Sequence, residues 1–292
     1  MARLTEPVLV TGGSSFLGRG LLRRLTAEHR VLAPRSADLD LRDWESTVAY
    51  FQAHRPGTVF HLAGSTLGRF AGEDFLQVFQ ANTLATAHVL EACRRLGHPR
   101  LVVAGTGDEN GADSGQPAGP LSAYAASKAA GTLICQAASR FSELQPTVLR
   151  FFAVYGPGQS SDFLVPSLLR ALRTGHPLAM TEGEQRRDFV WLDDALEVLL
   201  AVAGSASCQG KTLDVCTGVT HSLREVVELV STLGGRALPV SLGALPYRRG
   251  EPFLIAGDPF PLRSLVGPLL QTSLREGLAR LLAEEPDEHS GR

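Results

Sequence analysis

Apolar residues come in short runs separated by amphipathic stretches, and the alternation is regular through the first half of the chain. PVLVT (7–11) is an apolar run that ends at a Gly/Ser turn, which predicts a buried strand. An amphipathic helix is predicted from about Phe16 to Ala27 and a second strand over RVLAP (30–34). A helix follows over 43–54, with Trp44, Val48 and Phe51 near one face. TVFHLAG (58–64) predicts a third strand, and 74–97 a long helical stretch closed by Gly97 and Pro99. LVVAG (101–105) reads as a fourth strand, 122–143 as a helix and TVLRF (147–151) as a fifth strand. Strands alternating with helices of this length predict βαβ units, a parallel sheet covered on both faces and an α/β fold.

The rhythm changes after Tyr155-Gly156-Pro157-Gly158. Segments shorten and prolines multiply, at Pro166, Pro177, Pro239, Pro246, Pro252, Pro259, Pro261 and Pro268. This predicts a first domain over 1–156 and a smaller, less regular lobe over 157–292, with segments around 188–202 returning to the first domain. The charged tail from Glu284 is expected to fray.

Composition narrows the classes. At 44% hydrophobic and 20% charged residues the chain is globular rather than disordered. A net charge of −2 leaves no basic footprint for nucleic acid. No apolar run reaches the roughly 18 residues of a membrane span. The N-terminus runs straight into the first strand, so no signal peptide is expected and a cytoplasmic location is. Cys93, Cys135, Cys208 and Cys216 form no CxxC, and no histidine pair has ligand spacing, so no metal site is expected. Only two of the 28 basic residues are lysines, Lys128 and Lys211, so a lysine here is not background.

Three places carry candidate chemistry. In VLVTGGSSFLGRGLL (8–22), Gly12, Gly13 and Gly18 lie between the first strand and the first helix. Glycines there let a pyrophosphate approach amides at the helix N-terminus, although a tight turn without a ligand would use the same residues. About twenty positions on, where an acidic residue would grip the ribose hydroxyls of NAD, stands Arg35, followed by Ser36. Arginine suits the ribose phosphate of NADP, and a surface arginine is the alternative. Asp40 and Leu41 follow where an adenine pocket wall would stand.

The third place is SAYAASKAAGTLI (122–134), where Tyr124 and Lys128 share one helical face. With four tyrosines and two lysines in 292 residues, chance gives this spacing roughly 3% of the time. A free phenol has a pKa of about 10, and a nearby ammonium lowers it toward the working range. The phenol can then give a proton to a carbonyl oxygen as hydride reaches its carbon. Ala125, Ala126 and Ala129 keep the surroundings uncluttered. Thr106, at the C-terminal end of the fourth strand, is placed to hold the substrate oxygen, with a turn threonine as the alternative.

With these motifs in order, the chain resembles the extended short-chain dehydrogenase/reductase family, the NAD(P)-dependent epimerase/dehydratase group acting on nucleotide sugars. The resemblance covers nearly the whole chain. Nine segments carry it: TGGSSFLG (11–18), HLAG (61–64), Asn82 in QANTLATAHVLEAC, GTGDENG (105–111), YAASK (124–128), LRFFAVYGPG (149–158), RRDFVWLDD (186–194), RRGEP (248–252) and SLREGL (273–278). It implies a Rossmann-like doubly wound parallel sheet with a smaller C-terminal substrate lobe. It implies Thr106, Tyr124 and Lys128 as the catalytic group. For the cofactor it implies Gly12, Ser14, Ser15, Phe16, Leu17, Gly18, Arg35, Ser36, Asp40, Leu41, Leu62, Ala63, Gly64, Asn82, Tyr124, Lys128 and Phe151. Thr106, Asp108, Arg187 and Arg248 are implied for the substrate, the two arginines at its diphosphate.

The chain departs from the family pattern at several positions. Ser15 stands for the middle glycine of the turn, Ala153 for the asparagine before Val-Tyr-Gly-Pro, and Asn110 for a tyrosine. Gly107 and Asp108 follow Thr106, where dehydratases of the family carry an Asp-Glu pair. The expected activity is therefore NADPH-dependent reduction of a keto group on a nucleotide-activated sugar, in the class of NDP-4-keto-6-deoxyhexoses. The alternatives are an NAD-dependent nucleotide-sugar epimerase and a non-catalytic NAD(P)-sensing protein. Loss of Tyr124 or Lys128 would have suggested the last, and both are present. The resemblance also implies a homodimer formed by the helices that hold Asn82 and Tyr124.

Overall fold

A computed structural model describes residues 4–66, 75–110, 122–248 and 251–284. The first half runs β1 (Val8–Thr11), α1 (Phe16–Leu25), β2 (Val31–Leu32), α2 (Trp44–His54), β3 (Thr58–His61), α3 (Phe75–Phe79), α4 (Ala85–Arg95), β4 (Arg100–Thr106), α5 (Ala123–Phe141) and β5 (Thr147–Phe151). Two elements differ from the sequence expectation. β2 is shorter than RVLAP, because it is an edge strand and Pro34, without an N–H, cannot extend the ladder. The long helix expected over 74–97 is broken between α3 and α4 by a π-helical turn, Gln80–Leu84, that holds the buried Asn82.

The rest runs β6 (Ala153–Tyr155), α6 (Leu164–Thr174), β7 (Leu178–Ala179), β8 (Arg186–Trp191), α7 (Leu192–Gly204), β9 (Thr212–Val215), β10 (Thr220–Ser222), α8 (Leu223–Leu233), β11 (Val240–Ser241), β12 (Leu254–Ile255), α9 (Phe260–Val266) and α10 (Leu274–Ala283). The central sheet is parallel throughout, in the order β2-β1-β3-β4-β5-β9. β9 escapes the apolar-run reading because buried Asp214 interrupts it, its carboxylate held by Arg150 of β5 at 2.7 Å. β8 pairs in parallel with β6 and β12 and antiparallel with β10.

Strand alternation sorts the core into layers. Val8, Val10, Phe60, Val102 and Leu149 face one side, with Leu21 and Leu25 of α1 and Leu196 and Leu199 of α7. Leu9, Val59, Leu101, Val103 and Val148 face the other, with Phe51 of α2, Val89 of α4 and Cys135 of α5. A third cluster joins Leu168 and Leu172 of α6, Val226 and Val230 of α8 and Leu278 of α10 to Tyr155 and Trp191. The chain leaves β1 for β2 on one side and returns to β3 on the other. That reversal opens a crevice at the C-terminal ends of β1 and β3, where ligands bind in open α/β sheets.

Candidate active site

The turn between β1 and α1 is set by backbone contact. Gly12 has φ +73°, and a Cβ there would lie 2.6 Å from the Ala63 amide nitrogen. A Cβ on Gly18 would lie 2.2 Å from the Gly12 carbonyl oxygen, and one on Gly13 would lie 2.9 Å from Leu22 Cδ1. Ser15 caps α1, its Oγ accepting the Gly18 N–H at 3.1 Å. This is the role of the serine that replaces the family's middle glycine. Helix geometry leaves the Phe16 and Leu17 amides without intrahelical acceptors, in the polarity an anion prefers. Arg19 ties this turn to the segment after β6, donating to Ser14 O at 2.7 Å and Gly158 O at 2.8 Å. Side chains at Gly12 and Gly18 would collide with backbone, so the turn keeps the close form that a dinucleotide pyrophosphate needs, and the residues present fit that group.

Beyond β2, Arg35 and Ser36 are exposed. The Arg35 N–H donates to Asp38 Oδ2 at 3.1 Å, while its guanidinium makes no ion pair among the described residues. Asp40 is paired with Arg42. Arg42 donates to both its oxygens, at 2.9 and 2.8 Å, and holds its carboxyl below the usual range. Leu41 is buried, and its carbonyl accepts from His88 Nδ1 at 2.8 Å.

A buried polar chain joins the crevice to the helices behind it. Thr11 Oγ1 lies 2.8 Å from His61 Nδ1, and His61 Nε2 lies 3.1 Å from Thr86 Oγ1. Thr86 donates to the Asn82 carbonyl at 2.6 Å, so the imidazole must donate from Nε2 and accept at Nδ1. Burial, with Lys128 adding positive charge, pushes His61 down to about 3 and keeps it neutral. The Asn82 side chain accepts the Ser65 N–H at 2.7 Å and donates to Ser65 O at 3.0 Å and to Ser127 Oγ at 2.9 Å. The π turn thereby pins the strand exit Leu62–Ala63–Gly64 to α5. A Cβ on Gly64 would stand 2.8 Å from Asn82 Oδ1 and 3.8 Å from Lys128 Nζ.

α5 begins at Ser122, whose Oγ accepts the Ala125 N–H at 3.0 Å. This cap fixes the first turn, which carries Tyr124, and Lys128 follows one turn later. Tyr124 and Thr106 are buried at 9% and 5% exposure. Lys128 Nζ donates to the Ala104 carbonyl, two residues before Thr106 on β4. Burial pulls the Lys128 ammonium below its usual value, and the nearby Glu109 carboxylate pulls it back up. Thr106 Oγ1 accepts the Asp108 N–H at 3.3 Å, which leaves its own proton to donate. Phe151 is buried in the first core layer. The glycine at 107 has a steric cause, since a Cβ there would lie 2.7 Å from the Phe152 ring. A carboxylate cannot be carried at 107 without displacing that ring.

The two arginines expected at the substrate diphosphate both meet Glu251, Arg187 through its side chain and Arg248 through its backbone. Arg187 Nη2 donates to Glu251 Oε1 at 2.9 Å, and the Glu251 amide donates to the Arg248 carbonyl at 3.0 Å. Arg187 is mostly buried and Arg248 exposed. Asn110 sits at the end of the 3₁₀ turn Gly107–Asn110 that follows β4. Sequence reasoning assigned no part to Arg19, Glu109 or Glu251, because the partners that reveal them, Gly158, Thr132 and Arg187, lie 139, 23 and 64 residues away. It quoted His61 within HLAG without assigning it a part.

The residues from 8 to 216 match the model of the NAD dependent epimerase/dehydratase family, and the chain belongs to that family. Within it the chain is an NAD(P)-dependent oxidoreductase of the extended short-chain dehydrogenase/reductase type. It is 26% identical to a GDP-6-deoxy-D-mannose reductase of Pseudomonas aeruginosa, over 96% of this chain and 97% of the relative. It is 27% identical to an uncharacterized UDP-glucose epimerase, YtcB, of Bacillus subtilis, over 94% and 96%. Among solved structures it resembles MoeE5 in complex with UDP-glucuronic acid and NAD, with TM-score 0.83, 31% identity and coverage of 94% and 97%. RMD from Pseudomonas aeruginosa complexed with NADPH gives TM-score 0.82, 25% identity and coverage of 95% and 98%.

Proposed function

We propose that the chain reduces a keto group on a nucleotide-activated sugar with NADPH, its substrates falling in the class of NDP-4-keto-6-deoxyhexoses. The observation that carries this reading is Arg35 beyond the end of β2, exposed and without an ion-pair partner among the described residues. A guanidinium there favours a ribose phosphate over a bare ribose. The Phe152 ring over Gly107 argues against water elimination, because an acidic residue at 107 would have to displace that ring. The likeness to a GDP-6-deoxy-D-mannose reductase and to RMD, solved with NADPH, supports the same reading.

When bound, the reduced nicotinamide supplies a hydride to the substrate carbonyl carbon. Thr106 donates a hydrogen bond that orients the carbonyl oxygen. Tyr124 gives that oxygen its phenolic proton, so the carbonyl becomes an alcohol and the phenolate is reprotonated from solvent. Lys128 stabilises the phenolate with its charge and offers N–H donors to the nicotinamide ribose. Arg187 and Arg248 hold the diphosphate.

NADPH absorbance, followed while NDP-4-keto-sugars are offered in turn, tests the proposal. Stoichiometric oxidation is expected with at least one. Tyr124→Phe should lower kcat about a thousandfold while NADPH binding, read by fluorescence, stays intact. NADPH left unconsumed across the panel sinks the reductase. Nicotinamide cofactor retained through purification, with sugar inversion and no net oxidation, favours the epimerase, as the likeness to UDP-sugar enzymes solved with NAD would suggest.

The same reading includes a homodimer through the helices that hold Asn82 and Tyr124. Leu76, Leu84 and Leu133 on these helices are 68%, 40% and 64% exposed, an apolar surface that a second copy would cover. Light scattering on wild type and Leu133→Arg tests it, with a dimer expected for the first and a monomer for the second.

A further inference from the structure

Glu109 carries a carboxylate that the reduction does not consume. It sits in the 3₁₀ turn directly after β4, yet it is only 7% exposed. Its side chain folds back toward the strand. Oε1 accepts the Thr106 N–H at 2.8 Å, and Oε2 accepts the Thr132 hydroxyl at 2.7 Å. Gly105 makes the room, since a Cβ there would stand 2.6 Å from Oε1 and 3.1 Å from Arg150 Cγ. Thr132 lies one helical turn beyond Lys128 on the same face of α5.

A carboxylate is retained in such a place only with opposite charge and hydrogen bonds around it. Lys128 faces Glu109 from α5, and Arg150 faces it from β5. Arg150 is shared with Asp214 of β9, whose other oxygen accepts the Asp258 N–H at 3.2 Å. Lys128 in turn faces Glu109, Cys135 of its own helix and neutral His61 of β3. Two cations and two anions thus share one cluster, and one of the cations is the proposed partner of Tyr124.

We infer that Glu109 is a positioning residue for the proton-transfer pair: it holds the Thr106 amide in place and, as buried counter-charge, keeps Lys128 protonated. The inference rests on the reading of Tyr124 and Lys128 given above. Without the carboxylate, burial acts on Lys128 with little to oppose it, and the ammonium gives up its proton at lower pH. Tyr124 then loses its neighbouring positive charge, and the alkaline limb of the activity profile moves toward acid.

The scarcity of lysine makes the test direct. Protein labelled with carbon-13 at lysine Cε has two side-chain resonances, from Lys128 and Lys211, and Lys211→Arg assigns them. In Glu109→Gln, Lys128 should lose its proton about tenfold more readily than in wild type. Thr132→Val removes the hydroxyl without the charge and should leave that titration in place. A Lys128 titration unchanged in folded Glu109→Gln overturns the inference. If Glu109→Gln does not fold, wild type decides. The Lys128 resonance should show a second inflection as Glu109 takes up its proton in acid, and a single inflection overturns the inference. Where a keto-sugar substrate is found, the pH profile of NADPH oxidation should shift in the same sense. A wild type that turns over no keto-sugar sinks the reductase reading and leaves the lysine measurement standing by itself.

Discussion

At the exit of β1 the chain is held by backbone against backbone, with Gly12 against Ala63 and Gly18 against Gly12. Around β8 and α8 it is held by charged side chains, with Arg187 on Glu251, Arg186 on Glu225 and Arg224 on Glu182 at 2.9, 2.8 and 2.9 Å. The first kind of contact admits one residue type and cannot adjust. The second can rotate, exchange partners and accept a ligand anion in place of a carboxylate. A redox cofactor has to present one ring at one place, whereas a substrate site has to open for each new molecule. The two regions therefore differ in how much each substitution should cost.

The largest cost is expected at the turn. Gly18→Ala would place a methyl group 2.2 Å from the Gly12 carbonyl oxygen, against backbone that cannot move aside. A loss of about 3 kcal/mol in urea unfolding is expected, together with loss of NADPH binding. A variant of wild-type stability would show that the turn relaxes and would remove the contrast between the regions.

Acid should act next, through the polar chain behind the same turn. His61 is held neutral, with its folded value near 3 against about 6.5 in the unfolded chain. Below that unfolded value the unfolded state binds the extra proton, so the contribution is complete above pH of about 6.5 and drains as pH falls. The slope is about 1.4 kcal/mol per pH unit, or about 2 kcal/mol between pH 6.5 and 5. Burial raises Glu109 and Asp188, which act in the opposite sense. Urea unfolding at a series of pH values reads the sum, and His61→Asn should flatten the slope above pH of about 5. A wild-type stability flat across that interval would mean that the imidazole is charged in the fold.

The difference between the regions also explains what the sequence reveals. Backbone contact demands glycine, and glycine is visible, so Gly12, Gly13 and Gly18 mark the turn by residue type alone. Tyr124 and Lys128 are visible because helical spacing places them together and lysine is scarce. Four of the five apolar strands are visible because they are buried on both faces, and β2, at the sheet edge, is visible although only half-buried. Ion pairs leave no such trace. Arg187 and Glu251 are 64 residues apart, Arg186 and Glu225 39, and Arg224 and Glu182 42, and nothing local says which charges meet. β9 is hidden for the same reason, because Asp214 looks like a loop residue until Arg150 is seen beside it. The π turn is hidden because one extra residue in a helix leaves the apolar period nearly unchanged.

Cofactor choice should respond more modestly, since Arg35 is exposed and is proposed to meet one part of the cofactor only. Arg35→Ala is expected to weaken NADPH binding about tenfold, the scale of one charge-assisted bond, while leaving NADH binding unchanged. Fluorescence titration with both dinucleotides checks the ratio. Equal losses for the two would mean that the guanidinium does not meet the ribose phosphate.

The smallest effect is expected where the ion pairs are most adjustable. Arg187 and Glu251 are both 17% exposed, enough for solvent to share in their pairing. Glu251→Gln keeps the shape and an acceptor for Arg187 while removing the charge, so a stability loss under about 1 kcal/mol is expected. The kinetic effect should differ from that of the neighbouring change. Arg187→Gln removes a guanidinium proposed for the diphosphate and should raise KM with kcat little changed. Glu251→Gln removes the carboxylate that competes for that guanidinium and should leave KM level or lower it. A stability loss near 3 kcal/mol in Glu251→Gln would place this ion pair beside the glycine turn as a fixed part of the fold. The division between a rigid glycine turn and adjustable ion pairs would then fail at the pair that best represents it.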